Sequence, residues 1–273
     1  MPKAAMEAHE YIHVRFHLGG FIMKLFLFTL GFMTRIPIPF QMEMKEGDME
    51  KGFVTFPLVG LVIGLVDMAV YLLFSKLLPE PMAVVMAILA NLFVTGAFHL
   101  DGLCDTADGI YSARTPERML EIMKDSRIGT NGGIAMVADL ALKFFGIYYC
   151  DCKWLIILLM PVMGKMIQGV VAYKAIYPRK NGIGIYVGTI PLWGAIGAAL
   201  MGLAALIVAF SWHGIIMWAV LLLMAYLFRR YITGIIGGVT GDVMGAASEL
   251  SEIWFLWLVL ILARYAGLAI LPW

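Results

Sequence analysis

Asp101, Asp105 and Asp108 are four and three residues apart, so on a helix their carboxylates share one face. Like charges that close repel unless a cation or a positive substrate group sits among them. They lie in the longest polar stretch of the chain, residues 96–133, which also carries Arg114, Glu121, Lys124, Asp125 and Arg127. A second acidic group stands far downstream. Asp242 and Glu249 are seven residues apart, two helical turns, among Gly241, Gly245, Ala246 and Ala247, which are small enough to let another helix or a ligand close in. Carboxylates without a histidine or cysteine cage suit a hard cation such as Mg²⁺, which keeps waters and substrate phosphates in its shell. Adjacent arginines and a lysine suit the remaining phosphate oxygens. Carboxylates from two helices could hold one or two ions and clamp an in-line displacement at phosphorus. The pattern points first to phosphoryl-type transfer. Cation-coupled transport and a structural or binding role stay open on spacing alone.

The elements that must position these groups are membrane helices. The chain has 273 residues, 62% hydrophobic and 14% charged, where a soluble domain carries about 25% charged residues. Mean hydropathy is +0.87. Net charge is +1, so no basic surface points to nucleic acid. We expect an all-α, polytopic helical bundle with apolar spans at about 53–76, 82–98, 133–150, 154–175, 190–210, 214–236 and 253–272, each near the length that crosses roughly 30 Å of hydrocarbon. Residues 1–20 read as a polar tail and 21–273 as a single transmembrane domain. Residues 21–40 are apolar but interrupted by Lys24 and Arg35 and closed by Pro37 and Pro39. They form either an eighth span or a re-entrant or interfacial segment, the second being favoured. Seven alternating spans put 41–52, 99–132, 177–189 and 237–252 on one side. With Arg229 and Arg230 that side carries ten Lys and Arg, against Lys76 and Lys153 on the other. The positive-inside rule makes the richer side cytoplasmic, in a multi-pass protein of the cell membrane.

Other features invite bland readings. His9, Glu10 and His13 match HExxH and His17 lies one turn further, a spacing that could hold zinc on a helix. Nothing nearby supplies a protease cleft, so an amphipathic, solvated N-terminus is the expectation. Cys104, Cys150 and Cys152 read as reduced thiols. Asp139 and Lys143, four apart, are expected to pair. Asp67 and Lys165 are intramembrane charges with no local partner, either functional or hydrogen-bonded within the bundle. The 181–184 loop, NGIG beside Arg179 and Lys180, reads as a solvated turn.

Two family patterns bear on the acidic stretch. Residues 105–114 resemble the start of the CDP-alcohol phosphotransferase signature, but with one residue too many before Ala113-Arg114, and the rest of that signature is not found at its spacing. A closer resemblance is to the cobalamin synthases, the adenosylcobinamide-GDP ribazoletransferases. HLDGLCDTADG at 99–109 is similar to their HLDGLADTADG, with Cys104 in place of the common alanine. TRIP at 34–37, FPLVG at 56–60, MKDSRIGT at 123–130 and the stretch from Gly241-Asp242 to Glu249 also resemble that family, in its order. The resemblance implies a membrane transferase that joins adenosylcobinamide-GDP to alpha-ribazole or its 5′-phosphate, releases GMP and uses Mg²⁺. It implies that Asp101, Asp105 and Asp108 hold Mg²⁺ on the diphosphate, aided by Asp242 and Glu249. One carboxylate outside the metal shell, or His99, would accept the hydroxyl proton. Arg35, Arg114, Lys124 and Arg127, with Asp125 in the same segment, would contact substrate. Homo-oligomerisation is left open.

Overall fold

The computed structural model describes residues 12–13, 18–41, 45–179 and 187–268. The expected all-helical bundle is found. The one exception among these residues is a parallel pairing of two-residue strands, β1 (Ile12–His13) on β2 (Phe40–Gln41). His13 therefore lies in extended backbone, off the helical face that a zinc reading needs. His9, Glu10 and His17 lie outside the described residues, as does the 181–184 loop.

Helix α1 (Leu18–Met33) has 16 residues and rises about 24 Å, short of the roughly 30 Å of hydrocarbon. Its length fits the non-spanning alternative for 21–40. Lys24 Nζ holds Asp48 Oδ2 at 2.8 Å, and the Thr29 and Thr55 hydroxyls meet at 2.8 Å. These contacts pin α1 to the start of a continuous helical run made of α2 (Asp48–Gly52), a 3₁₀ turn (Phe53–Thr55) and α3 (Phe56–Phe74).

The bundle is built round α8 (Lys153–Ala172), nearly all of which is buried inside the protein. Helix α3 lies on it through Gly60 and Gly64. A Cβ at Gly60 would stand 2.8 Å from Val162 Cα, and one at Gly64 the same distance from the Leu158 carbonyl carbon. With lipid outside there is little hydrophobic drive between helices, so backbone contact at small residues is what holds such a pair. Phe56, Ile63, Ile156, Met163, Met166, Phe210 and Phe255 fill the interior round this seam. Helices α9 (Leu192–Phe210) and α10 (Trp212–Ile236) form the outer layer and expose Leu200, Leu223 and Leu227, as a lipid-facing surface should.

Among the described residues five helical runs are long and apolar enough to cross a membrane: Asp48–Phe74, α8, α9, α10 and α11 (Gly241–Tyr265). A sixth exists if α4 (Glu80–Thr95) and α5 (Phe98–Ile110), bent 88° from one another, count as one broken span. The chain is thus a multi-pass membrane protein. The expected segment 133–150 is α7 (Thr130–Tyr148), whose Asn131, Asp139 and Lys143 lower its hydropathy. The short α6 (Pro116–Ile122) lies between α5 and α7.

The last span starts at Gly241, not near 253. Glu249, Ser251 and Glu252 are inside the helix and buried. Buried carboxylates are tolerable when paired, and the partner is Lys143. Its Nζ lies 3.2 Å from Asp139 Oδ2, 2.8 Å from Glu252 Oε2 and against Glu249 Oε2. The expected Asp139–Lys143 pair is one edge of this larger cluster. Lys165 donates to Ser248 Oγ at 3.0 Å, and Asn91 donates to Asp67 Oδ2 at 2.7 Å. The two intramembrane charges without local partners are hydrogen-bonded across helices.

Candidate active site at a helix crossing

Helix α5 owes its direction to two consecutive left-handed residues, Gly96 (φ 64°) and Ala97 (φ 58°). Arg35 packs on this corner. A Cβ at Gly96 would sit 2.8 Å from Arg35 Nε, while the Arg35 amide donates to the Val94 carbonyl at 2.7 Å. The turn swings α5 across α11 with no room for side chains between them. A Cβ on Gly102 would lie 2.7 Å from the Asp242 carbonyl oxygen, and one on Gly245 3.0 Å from the His99 carbonyl oxygen. The two acidic groups, some 140 residues apart in sequence, therefore meet at a glycine-faced crossing.

The aspartates at this crossing differ in their partners. Asp105, half-buried, feels the charges of Asp101, Asp242 and Asp108, with the Arg179 guanidinium as countercharge. Asp242 stands in the first turn of α11, where a negative charge is favoured by the helix dipole. It accepts from Arg179 Nη2 at 2.8 Å and from the Thr240 hydroxyl at 3.3 Å, and Thr240 Oγ1 also caps the helix by accepting from Val243 N at 3.2 Å. Asp108 is tied down at both oxygens. Gly129 N donates to Oδ2 at 2.6 Å and Gly132 N to Oδ1 at 2.8 Å. Helix α7 begins at Thr130 with no cap from its own N-terminal residue, so Asp108 supplies that cap from α5. A Cβ at Gly129 would stand 2.8 Å from Asp108 Cγ, and one at Gly132 2.9 Å from the Cys104 carbonyl oxygen. Only glycine fits this cradle.

Two residues of the expected set are brought elsewhere. Glu249 shares a helix face with Asp242 but lies about 10 Å further along the axis, where Lys143 holds it. It belongs to the buried ion cluster and not to the crossing. His99 is about 120–180° round α5 from the three aspartates. It is buried, its Nε2 has no hydrogen-bond partner, and the charges it faces are Lys165 and Lys143. It points into the bundle.

Among the described residues, the expected basic residues make no ion pair with the aspartates of the crossing. Arg35, Arg114 and Lys124 are exposed. Arg127 is also exposed and is engaged with Asp125, Nε at 2.9 Å from Oδ1 and Nη2 at 2.5 Å from Oδ2. That pairing holds the Asp125 carboxyl down at about 2. The Asp108 cradle ties this segment to α5, two residues beyond Arg127. Sequence reasoning named Arg179 only as a loop neighbour and missed its bond to Asp242. It also missed Gly129 and Gly132. Their spacing of three, next to Asn131 and Gly133, is the signal that a close approach was being accommodated. The three cysteines are free, and burial pushes the Cys150 thiol up to about 12, so no thiolate nucleophile is offered there.

Among the described residues no group of three His, Cys, Asp or Glu side chains is arranged to hold a metal ion by itself. Mg²⁺ does not need such a cage, because it takes one or two carboxylates and completes its shell with water and substrate phosphate. Asp101 and Asp105, whose carboxylates make no hydrogen bond among the described residues, have the chemistry for that shared kind of site.

A family model described as cobalamin-5-phosphate synthase matches residues 25–260. The adenosylcobinamide-GDP ribazoletransferase of Clostridium novyi is 39% identical over 250 residues, covering 90% of this chain and 100% of that protein. Those of Listeria monocytogenes serotype 4b (strain F2365) and Klebsiella pneumoniae are each 36% identical, covering 88% and 86% of this chain and 98% of each relative. No solved structure matches.

Proposed function

The chain belongs to the cobalamin-5-phosphate synthase family, and from that premise we propose that it is an adenosylcobinamide-GDP ribazoletransferase. It joins adenosylcobinamide-GDP to alpha-ribazole or its 5′-phosphate, giving adenosylcobalamin or its phosphate and GMP. The comparisons lend no support to the phospholipid-type phosphotransferase or the transporter.

The observation that carries the site assignment is the glycine-faced crossing of α5 and α11, which gathers Asp101, Asp105 and Asp242 beside Arg179. A ribose hydroxyl of the acceptor attacks the phosphorus attached to cobinamide. The bond from that phosphorus to the bridging oxygen breaks, and GMP leaves with that oxygen. Two of Asp101, Asp105 and Asp242 would hold Mg²⁺, which supplies charge neutralisation on the diphosphate. A carboxylate of this group outside the metal shell accepts the hydroxyl proton. Asp108 acts through the backbone, fixing the start of α7 and the segment before it. Arg179, bonded to Asp242, would neutralise phosphate oxygens, with Arg35, Arg114, Lys124 and Arg127 as further candidates, Arg127 sharing its charge with Asp125. The distribution of Lys and Arg supports a cytoplasm-facing site in the cell membrane.

The test is a two-donor comparison on purified protein with Mg²⁺. Adenosylcobinamide-GDP with alpha-ribazole should release GMP and form a cobalamin, while a CDP-activated alcohol with the same protein should release no CMP. The reverse pattern would overturn the proposal.

A further inference from the structure

Outside the crossing, the strongest unassigned feature is a basic cavity of about 370 Å³ between α10 and the link after α8. It is lined by Lys174, Ile176, Tyr226, Arg229, Arg230 and Thr233, three cations and no acid. None of the three cations has a carboxylate partner among the described residues. Unlike the cations of the bundle interior, they converge without countercharge.

One wall is rigid. Arg229 Nη1 donates to the Tyr173 carbonyl at 2.6 Å and Nη2 to the Lys174 carbonyl at 2.9 Å. These bonds cap the end of α8 and hold Lys174 in the left-handed region (φ 50°), which a lysine rarely adopts unaided. Lys174 and Arg230 are exposed, so their charged groups are available to a ligand.

The mouth opens toward lipid. Little of the apolar length of α10 is covered by protein. Ile176 is 66% exposed, Tyr226 56% and Tyr231 53%. The depth is that of headgroups. Exposed Trp212 starts α10, and Arg229 follows 17 residues later, about 26 Å along the axis. Tryptophan at one end and tyrosines with arginines at the other are the usual anchors at the two interfaces of a bilayer.

We propose that this cavity binds the phosphate of an anionic phospholipid headgroup, with Lys174 and Arg230 as the charged contacts and Arg229 as their scaffold. A basic pocket at the interfacial end of a membrane helix meets such lipids with complementary charge. Occupancy would also brace the candidate active site. Val239 N donates to the Ile176 carbonyl at 2.8 Å, and Gly238 is packed against Ile176 and Pro178. The same link therefore carries Arg179 to Asp242. The proposal rests on the membrane location and goes beyond the transferase reading.

The test uses delipidated protein in mild detergent, titrated with phosphatidylglycerol, phosphatidylcholine or inorganic phosphate. Retained lipid is read by native mass spectrometry and stability by thermal midpoint. We expect one tightly retained phosphatidylglycerol, a raised midpoint, and at least tenfold weaker binding in a Lys174→Gln/Arg230→Gln variant. Binding should return in Lys174→Arg/Arg230→Lys, which also controls for folding. Equal binding of phosphatidylcholine, or undiminished phosphatidylglycerol binding in the Gln variant, would overturn the proposal. Stabilisation by inorganic phosphate matching that of phosphatidylglycerol, joined to a raised KM for alpha-ribazole 5′-phosphate in the Gln variant, would assign the cavity to substrate and overturn it as well.

Discussion

Replacing Lys143 by Met should destabilise the bundle at its centre. Among the described residues Lys143 is the one cation in salt-bridge contact with Asp139, Glu249 and Glu252, which come from α7 and α11 and are all buried. Methionine keeps the volume and removes the charge. Breaking a buried ion pair by deleting one partner costs about 3–5 kcal/mol. A second route to the magnitude agrees. The folded variant can restore its charge balance by binding one extra proton, and at pH 7 protonating a carboxyl of ordinary pKa near 4.3 costs about 4 kcal/mol. For a chain of this size that is a fall in thermal midpoint on the order of 10 °C. The second route also fixes the sign with pH. Because the folded variant holds a proton that the unfolded chain releases, its deficit should shrink by about 1.4 kcal/mol per pH unit as pH is lowered from 7 toward 5. Unfolding followed by tryptophan fluorescence in detergent, over pH 5–8, measures this. Adding Glu249→Gln to Lys143→Met removes one of the three acids and should recover most of the loss. A deficit below about 1 kcal/mol at pH 7, or one that grows as pH falls, would refute the reasoning.

Three further outcomes follow from the crossing. Gly102→Leu should force α5 off α11, because even a Cβ there would stand 2.7 Å from the Asp242 carbonyl oxygen; turnover should fall at least a hundredfold in protein that still inserts, as read by GMP release and protease protection. Asp108→Ala should cost about 1–2 kcal/mol of stability through the lost α7 cap, with Asp108→Asn recovering part of it, as thermal unfolding would show. Arg179→Gln should raise KM for adenosylcobinamide-GDP several-fold while leaving the midpoint nearly unchanged, since Asp242 keeps its Thr240 contact; steady-state kinetics decide.

The helical, membrane-embedded fold was legible because apolar runs of about twenty residues allow little else. The boundaries of the last helix were not. Glu249 and Glu252 look like a loop until Lys143, more than a hundred residues earlier, is known to neutralise them. The same long-range pairing removed Glu249 from the acidic group to which helical spacing had joined it. Spacing ranks side chains round an axis but says nothing of which neighbour lies at which depth. His99 is the opposite case. Its place across the helix from Asp101, Asp105 and Asp108 follows from residue numbers alone, and the structure adds only that the far face looks into the bundle. The cradle formed by Gly129 and Gly132 under Asp108, and the hold of Arg179 on Asp242, are tertiary contacts between segments with no shared periodicity. Only their residue types hinted at them.

The central claim is that the aspartates of α5, met by Asp242, carry the transfer reaction. The direct measurement is GMP released per mole of protein when wild type and Asp105→Asn, inserted to equal extent in the same lipid, are given adenosylcobinamide-GDP, alpha-ribazole and Mg²⁺. Wild type should turn over repeatedly and form a cobalamin, and Asp105→Asn should release GMP at least a hundredfold more slowly. Turnover by Asp105→Asn at the wild-type rate would contradict the account.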